Sequence, residues 1–391
     1  METHKKSPTA QILALSFSHV VNDWYMNFLP ATLPLLVLSG LSVQRSALLM
    51  SIFTLTSSVI QPVFGYLVDR FHQNWLVYLG TAWMALLLSF TGVVHSYGLL
   101  VVLALFSGLG TAAFHPQASA MVARLGGTRK AFWMGFFISM GNVGVALAPL
   151  LLVPYLQRYG LPATRYLFVP GFVAAFLVWL AIPQNGGAPQ IKKAPPTLGN
   201  LKSALRPLLK ILSVVSLRSW TYFSLISFLP LFHKAKGIPL DSSGRLLFLM
   251  LATGAAGGLL GGYFWDKIRG KTRVNWLLVL TLALSSPLLM TYLLSPESTY
   301  SLIILGLAGA LLLGSFSITV ILAQDAVGQN AALASGLMLG LGIGIGGLGV
   351  GITGWAIDHW GAVPVLQGLV WLPFCAALLA LSLKKVEKRA D

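Results

Sequence analysis

The sequence predicts an all-α membrane protein with twelve transmembrane helices, organised as two related bundles of six helices. An ordinary soluble protein is excluded, because the 391 residues are 56% hydrophobic and only 9% charged, whereas roughly a quarter of a soluble chain is charged. The apolar residues form twelve segments that are each long enough to cross a bilayer. Short sequence elements of the first half also recur at a nearly constant distance in the second half.

Each apolar segment is expected to be a helix, because the bilayer interior offers no water to satisfy free backbone groups. The 40 glycines and 20 prolines fit this interpretation, since both residues are commoner in membrane helices than in soluble ones. The predicted segments, numbered 1 to 12 in chain order, are residues 11–37, 45–67, 75–94, 97–122, 131–155, 162–182, 208–232, 244–264, 274–294, 300–323, 331–355 and 362–383.

An internal repeat indicates that the twelve segments form two bundles. Phe28–Pro30 recurs as Phe228–Pro230, which is 200 residues later. Gly127–Gly135 aligns with Gly328–Gly336 at an offset of 201 residues. The longest loop lies between the two copies, and its glycine, proline and basic residues are typical of a solvated linker. We therefore expect an N-terminal bundle at residues 1–183, a cytoplasmic linker at 184–207 and a C-terminal bundle at 208–391.

The distribution of Lys and Arg predicts the orientation of the chain. With the N-terminus inside, 20 of the 26 basic residues fall on the cytoplasmic side, counting Arg218 within segment 7, as the positive-inside rule requires. Both termini are therefore expected in the cytoplasm. The net charge of +16 is spread over short loops between apolar segments, so nucleic-acid binding is not predicted.

Segment 1 carries ionisable side chains inside an otherwise apolar stretch. His19 and Asp23 are four residues apart, so they share one face of a helix, and Asn22 lies beside them. Ionisable groups inside a membrane are costly and usually functional. Asp23 is therefore a candidate proton carrier with His19 as its neighbour. The structural alternative is a carboxylate that is hydrogen-bonded within the helix bundle.

Several motifs allow a comparison with known families. These motifs are Gly65–Phe71 (GYLVDRF) with its copy Gly262–Lys267, Ser18-His19 with Asn22-Asp23, Phe114–Ser119 (FHPQAS), Gln61–Tyr66 (QPVFGY), and Gly346–Gly349 leading to Ala356–His359. Through them the chain resembles, over its whole length, the major facilitator superfamily, and within it the fosmidomycin resistance family of bacterial drug exporters.

The resemblance implies a drug/proton antiporter of the bacterial cytoplasmic (inner) membrane. Its substrates would be fosmidomycin, which is an anionic phosphonate, or other amphiphilic drugs. The two bundles would expose a central cavity alternately to each side. Two positions depart from the pattern: Ala104 stands where proton-coupled relatives often have arginine, and Gln117 where the family often has glutamate. Asp23 and the histidines would then carry more of the coupling.

The same resemblance indicates which residues line the cavity. Segments 1 and 4 both face it in this fold, so His115, beside the helix-bending Pro116, would converge with His19 and Asp23. The offset of 200 residues places Arg218 level with Ser18, so pseudo-twofold symmetry predicts a guanidinium facing the cluster. An arginine reaching the lipid headgroups is the alternative. The predicted substrate-binding residues are His19, Asn22, Asp23, His115, Gln117, Arg218 and Tyr222, and those for proton coupling are Asp23, His19 and His115.

A third group of residues is expected to gate the cytoplasmic side. The resemblance implies that Asp69 faces the positive N-terminal end of segment 11, near Gln329 to Ala331. Arg124 and Asp325 occupy equivalent positions, so they either pair across the bundles or pair independently. The predicted gating residues are Asp69, Arg70, Arg124, Asp266, Lys267 and Asp325.

Other functions were weighed against this interpretation. A uniporter or symporter of a small anionic metabolite, with Arg218 as the recognition residue, is the main alternative. A membrane enzyme is not predicted, because no serine elbow or His-Glu-x-x-His motif is present. The single cysteine, Cys375, excludes an internal disulfide and a cysteine-based metal site. We expect no cofactor or metal, partners limited to substrate, protons and bilayer, and a monomer.

Overall fold

The computed structural model describes residues 7–71, 74–182, 198–268, 275–327 and 330–383, and within these ranges the regular elements are all helical. The α-helices are α1 (Pro8–Met26), α2 (Phe28–Leu38), α3 (Val43–Thr54), α4 (Gln61–Phe71), α5 (Leu76–Ser89), α6 (Tyr97–Gly126), α7 (Lys130–Tyr159), α8 (Val169–Ala181), α9 (Leu198–Ala235), α10 (Leu240–Ile268), α11 (Trp276–Leu294), α12 (Ser301–Val327), α13 (Ala331–Ser335), α14 (Ile343–Trp360), α15 (Ala362–Leu369) and α16 (Leu372–Leu381).

These helices account for every predicted segment, which confirms the all-α fold class. Segments 3, 4, 5, 7, 8, 9 and 10 are single continuous helices, whereas the other five are interrupted. Within the described ranges, nine helical stretches are long and apolar enough to cross a membrane, and one of these, Tyr97–Tyr159, contains both α6 and α7. Helix α5 is also apolar but is shorter than these nine stretches.

The interruptions have identifiable causes. Segment 1 breaks at Asn27, between α1 and α2, because Pro30 has no N–H to donate to the carbonyl of Met26 one turn earlier. Segments 2 and 11 each contain a π-helical stretch, at Leu55–Val59 and Gly336–Gly342. Such stretches insert an extra residue into the helical turn and are frequent at functional sites.

Left-handed glycines support the internal repeat at the level of the backbone. Gly160 follows α7 with φ +79°, and Gly361 follows α14 with φ +82°. Each donates its N–H over 2.8 Å to the carbonyl of the residue four positions earlier, Leu156 or Ile357. Because only glycine adopts this conformation without strain, the chain ends both helices with the same device 201 positions apart.

Helix α9 begins earlier than segment 7, which was predicted to start at residue 208. It starts at Leu198, inside the predicted linker, and the first part of that linker, residues 183–197, lies outside the described residues. Ala204, Leu208 and Ile211 are buried along one side of the helix. Their spacing of four and three residues is typical of an amphipathic helix. The polar residues of this stretch conceal that pattern in the sequence.

The contacts within the chain divide it into two compact units. Unit 1 comprises Met1–Gly127, Phe136–Thr197 and Gly328–Leu341. Unit 2 comprises Thr128–Gly135, Leu198–Val327 and Gly342–Asp391. Each unit contains most of one predicted bundle together with a short segment from the other bundle. The first turns of α7 thus belong to unit 2, and α13 belongs to unit 1.

Helix α1 lies in the interior of unit 1. Tyr25 and Phe28 are fully buried in its hydrophobic core, and Trp24 is nearly so. Helix α7 approaches α1 closely at Gly144, where an added Cβ would collide with the carbonyl group of Val20. This close approach places α7 directly against the polar face of α1, which carries the candidate site.

Candidate functional site

Three ionisable side chains from α1 and α6 meet inside unit 1. The His19 Nε2 atom lies 3.2 Å from Asp23 Oδ2, and His115 Nε2 lies 3.0 Å from Asp23 Oδ1. The two Nε2 atoms are themselves 3.0 Å apart. All three residues are buried, with exposed fractions of 4%, 8% and 6% for His19, Asp23 and His115. We call these residues the His–Asp–His cluster.

The outer nitrogens of both imidazoles are fixed by hydrogen bonds. His19 Nδ1 lies 2.7 Å from the carbonyl oxygen of Phe137, and His115 Nδ1 lies 3.2 Å from the carbonyl oxygen of Thr111. A carbonyl oxygen only accepts hydrogen bonds, so each Nδ1 must donate its N–H. Both rings are thereby held with Nδ1 protonated and with Nε2 pointing into the cluster.

The Thr111 hydroxyl reinforces this assignment for His115. It donates to Asn22 Oδ1 over 2.7 Å, and its oxygen therefore accepts from His115 Nδ1 at 2.9 Å. The Asn22 amide also donates to the Thr81 hydroxyl over 3.0 Å. Asn22, predicted to bind substrate, is fully buried and has both polar atoms bonded internally, so its contacts position the His115 ring through Thr111.

The cluster therefore brings electron lone pairs together. With both imidazoles neutral, the two Nε2 atoms and the Asp23 carboxylate are all acceptors, at separations of 3.0 to 3.2 Å. Three acceptors at this distance repel one another unless a donor or a cation lies between them. The geometry is therefore suited to holding a positively charged species at the centre of the cluster.

Helix α7 covers the cluster with one aromatic residue and one glycine. The Phe137 ring stacks on His19 with centroids 3.9 Å apart and planes inclined by 19°. A Cβ at Gly141, one turn later, would lie 2.5 Å from His19 Cε1 and 2.6 Å from Asp23 Oδ2. Only glycine leaves room here, because the side chains of the cluster occupy the space of a methyl group.

Arg218 is the principal polar residue of a second site, inside unit 2. It is 1% exposed, and its guanidinium carbon lies 3.5 Å from the centroid of the Phe316 ring. Its hydrogen bonds, to the Thr319 and Ser219 hydroxyls, are both long at 3.3 Å, and its Nε atom has no partner among the described residues. Within these ranges it forms no ion pair, so its charge is buried without a counterion.

The remaining predicted substrate residues are also buried. Tyr222 lies one turn beyond Arg218 on α9, and its ring contacts Phe316 edge-on with centroids 6.2 Å apart. Gln117 is buried on α6, two residues beyond His115. The interior position of Arg218 differs from that of an arginine reaching towards lipid headgroups, which was the alternative interpretation.

Asp69 contacts the start of α13, which lies in the segment that the family resemblance places opposite it. Its Oδ1 accepts from the N–H of Ala332 over 3.1 Å, and its Oδ2 accepts from the N–H of Leu333 over 2.8 Å. These are first-turn amides, which lack partners within the helix and carry its positive partial charge. Gly65, one turn earlier, allows the approach, since a Cβ there would collide with the Ala332 carbonyl. Gln329, also named in the prediction, lies outside the described residues.

Asp266 makes the equivalent contact inside unit 2. It accepts from the N–H groups of Ala131 and Phe132, at the start of α7, over 3.1 and 2.8 Å. Gly262 has the role that Gly65 has in unit 1, because a Cβ there would collide with Ala131. The offset of 201 residues maps Ala332 and Leu333 onto Ala131 and Phe132, so the internal repeat is the signal that could have identified this partner.

The neighbouring basic residues bond within their own helices. Arg70 donates to the Tyr66 hydroxyl over 3.1 Å, and the Lys267 ammonium group lies 4.5 Å from the centroid of the Tyr263 ring. Both side chains are exposed. Their interactions are local, unlike those of the adjacent aspartates.

Asp325 forms an ion pair with Lys130 inside unit 2. Arg124, which symmetry offered as one possible partner of Asp325, forms no ion pair with a described residue. Symmetry does not indicate Lys130, because its equivalent in the repeat, Ala331, carries no charge. The pair lies one residue before the amides that bind Asp266, so both contacts involve the beginning of α7.

Comparison with known proteins identifies the family. Residues 15–348 match the family model of the Major Facilitator Superfamily. The chain belongs to the major facilitator superfamily. It is 28% identical to the fosmidomycin resistance protein of Escherichia coli (strain K12) over 375 residues, covering 93% of this chain and 90% of that protein. It is also 28% identical to the uncharacterized MFS-type transporter YfnC of Bacillus subtilis (strain 168), covering 94% of this chain and 91% of the relative.

A solved structure supports the same fold. The transporter FucP, crystallised in the outward conformation, superimposes with a TM-score of 0.70 at 16% sequence identity, covering 96% of this chain and 99% of FucP. The major facilitator superfamily comprises multi-pass membrane transporters rather than enzymes, so this chain is a secondary transporter.

Several residues that adjoin the His–Asp–His cluster were not among those predicted from the sequence. Thr111 precedes His115 by four residues and Phe137 precedes Gly141 by four, so each pair shares a helix face. That spacing could have identified Thr111 as a partner of His115. No sequence signal identifies the Phe137 carbonyl, because any residue supplies the same backbone oxygen. Gly141 borders His19 and Asp23, but a glycine has no side chain that would mark it as a site residue.

Proposed function

We propose that this protein is a proton-coupled exporter of fosmidomycin-like or other amphiphilic drugs, working by alternating access in the bacterial cytoplasmic membrane. The observation that carries the proposal is the His–Asp–His cluster, whose three acceptor groups require a cation between them. A proton is the cation that a transporter of this superfamily can always obtain from water. The 28% identity to the fosmidomycin resistance protein supports the drug class.

The cluster offers a specific position for the proton. A proton on His19 Nε2 or His115 Nε2 creates an imidazolium that donates towards Asp23 and the second ring. Loss of the proton restores the repulsion among three acceptors, so the local structure must change. Proton binding and release are thereby linked to the packing of α1 against α6 and α7, as a coupled transporter requires.

Arg218 supports an anionic substrate. A buried cation without a counterion carries a desolvation cost that a bound anion would offset. The planar guanidinium donates in pairs to phosphonate or carboxylate oxygens, and the Phe316 ring already holds it from one face. We assign Arg218 to the anionic group of the drug and Tyr222 to its surroundings, and separately we retain Gln117 as a proposed polar contact for the substrate.

We also propose that Asp69 and Asp266 act as cytoplasmic gates, with both termini of the chain in the cytoplasm. Each carboxylate holds the start of one helix through two backbone amides, and the Lys130–Asp325 pair reinforces one of them. Release of these contacts would free the starts of α7 and α13 to move. The domain arrangement predicted from the sequence, two bundles joined by a linker at 184–207, supplies the moving parts.

Substitution of Asp69 tests the gate. We expect Asp69→Asn to weaken the contact, because an amide NH₂ cannot accept from a backbone N–H. Hydrogen bonds to a charged group contribute about 1.5–3 kcal/mol each, so the contact should open many times more often. The rate at which a thiol reagent labels a cysteine introduced at Leu333, in a Cys375→Ala background, measures this opening. Asp358→Asn, which alters an exposed aspartate, is the matched control; equal labelling rates in all three proteins would contradict the gate.

The direction of transport tests the proposed function as a whole. Purified protein in proteoliposomes, with a pH gradient imposed across the membrane, should move fosmidomycin against the direction of proton flow. A second candidate, a uniporter or symporter of a small anionic metabolite, is favoured by the uncompensated charge of Arg218. A symporter would move the anion in the same direction as protons, and a uniporter would ignore the gradient, so either result would replace the exporter.

A further inference from the structure

The His–Asp–His cluster has features of a metal site in addition to those of a proton site. We propose that it binds one divalent transition-metal ion, of the Zn²⁺ class, through His19 Nε2, His115 Nε2 and one Asp23 carboxylate oxygen. The inference does not depend on the proposed drug export, because it concerns metal binding to the protein when no substrate is being transported. The sequence did not indicate it, since the ligands come from two helices that are far apart in the chain.

The ligand types and their spacing fit such an ion. One ligand atom from each of the three residues lies within 4.8 Å of the other two. The two Nε2 atoms are 3.0 Å apart and approach different oxygens of Asp23, at 3.2 Å for His19 and 3.0 Å for His115. Zinc–ligand bonds of about 2.0–2.2 Å in a tetrahedron separate neighbouring ligands by about 3.3–3.5 Å. A small outward shift, with a rotation of the Asp23 carboxylate that turns one oxygen towards both Nε2 atoms, would therefore seat the ion.

The outer contacts of both histidines are also those of metal ligands. A histidine that binds a metal usually donates its second ring N–H to a carbonyl or carboxylate, which fixes the ring and its tautomer. His19 does so to the Phe137 carbonyl over 2.7 Å, and His115 does so to the oxygens of Thr111 at 2.9 and 3.2 Å. The Nε2 lone pairs are thus oriented for coordination before any ion arrives.

The donor set determines which metals are expected. Two imidazoles and one carboxylate suit Zn²⁺, Co²⁺ and Ni²⁺, whereas Mg²⁺ prefers oxygen ligands and near-ideal octahedral geometry. Three protein ligands leave a fourth position for water or another small ligand. The Asp23 side chain, 12% exposed, is the most accessible of the three and marks the route by which the ion would enter.

Titration of the purified protein with Zn²⁺ tests this site directly. The protein should be prepared without a histidine tag, in detergent, and its heat of binding measured calorimetrically. Wild-type protein should bind one Zn²⁺ per chain and no Mg²⁺. His19→Gln, His115→Gln and Asp23→Asn should each weaken binding at least about tenfold, since loss of even an outer partner of a ligand costs 10- to 100-fold. Added Co²⁺ should produce the visible absorption of a tetrahedral site in wild-type protein but not in these three variants.

Matched controls keep the test specific. His95→Gln and His359→Gln alter exposed histidines outside the cluster and should leave Zn²⁺ affinity unchanged. Absence of stoichiometric binding to the wild type, or equal affinity in His115→Gln, would overturn the proposal. Variants that elute and unfold like the wild type ensure that lost binding does not reflect misfolding. Proton-driven transport measured in buffer with chelator tests the proposed function separately, so either proposal can fail alone.

Discussion

Asp23→Asn is expected to abolish pH-driven drug transport while leaving the folded protein intact. The substitution preserves the size of the side chain but removes the negative charge that faces both Nε2 atoms, at 3.0 and 3.2 Å. An imidazolium at His19 or His115 then lacks its counterion, and the cluster no longer favours proton binding. Drug accumulation in proteoliposomes driven by a pH gradient should fall to the level of protein-free vesicles.

Two measurements show whether coupling has been lost selectively. Exchange of labelled for unlabelled drug, without a gradient, should persist in Asp23→Asn, because it needs binding and movement but no net proton transfer. The thermal unfolding temperature should change only modestly, as expected when a few hydrogen bonds to one charged group are lost. Asp358→Asn should behave like the wild type throughout. Full gradient-driven transport by Asp23→Asn would remove the cluster from the coupling mechanism.

Arg218→Gln is expected to weaken binding of phosphonate drugs while maintaining or raising thermal stability. The guanidinium is 1% exposed and forms no ion pair with a described residue. Its loss removes about two charge-assisted hydrogen bonds to the drug, each worth about 1.5–3 kcal/mol, so affinity should fall at least about 100-fold. Without drug, the variant avoids burying an uncompensated charge, so it should unfold at the same or a higher temperature.

Comparison of ligands separates charge recognition from general damage. Binding of a neutral amphiphilic drug should be little affected in Arg218→Gln, and Arg218→Lys should recover only part of the phosphonate affinity because it lacks the planar pair of donors. Arg245→Gln, at an exposed arginine of α10, is the matched control. Equal losses for anionic and neutral drugs would show that Arg218 supports the fold rather than recognising an anion.

The helical architecture follows from the sequence because the membrane leaves few options. Apolar length, the absence of water inside the bilayer and the repeat offset together determine that each segment is a helix. The structure confirms this for all of the helices α1 to α16. The exact ends of the helices follow less directly from the sequence. Helix α9 extends to Leu198 because Ala204 and Leu208 pack inwards, and this amphipathic extension is masked by its lysines and its proline.

The site was predictable where residue type decides the chemistry. His19, Asp23 and His115 stand out because ionisable groups are rare in apolar segments, and Asp69 stands out through its motif. The contact made by the Phe137 carbonyl was not predictable, since a backbone oxygen leaves no mark on residue identity. The Lys130–Asp325 pair was missed for a related reason, because the repeat conserves the position of Lys130 but not its charge.

The use of main-chain amides by Asp69 and Asp266 has a consequence for how the protein can vary over evolution. Any residue except proline offers the same N–H group, so the hydrogen bonds themselves place no demand on the side chains at Ala332, Leu333 and their counterparts. Those side chains answer to packing instead, since Ala131 and Ala332 are fully buried. The hydrogen-bonded junction depends on the identity of the carboxylate and of the nearby glycine that lets the helices touch.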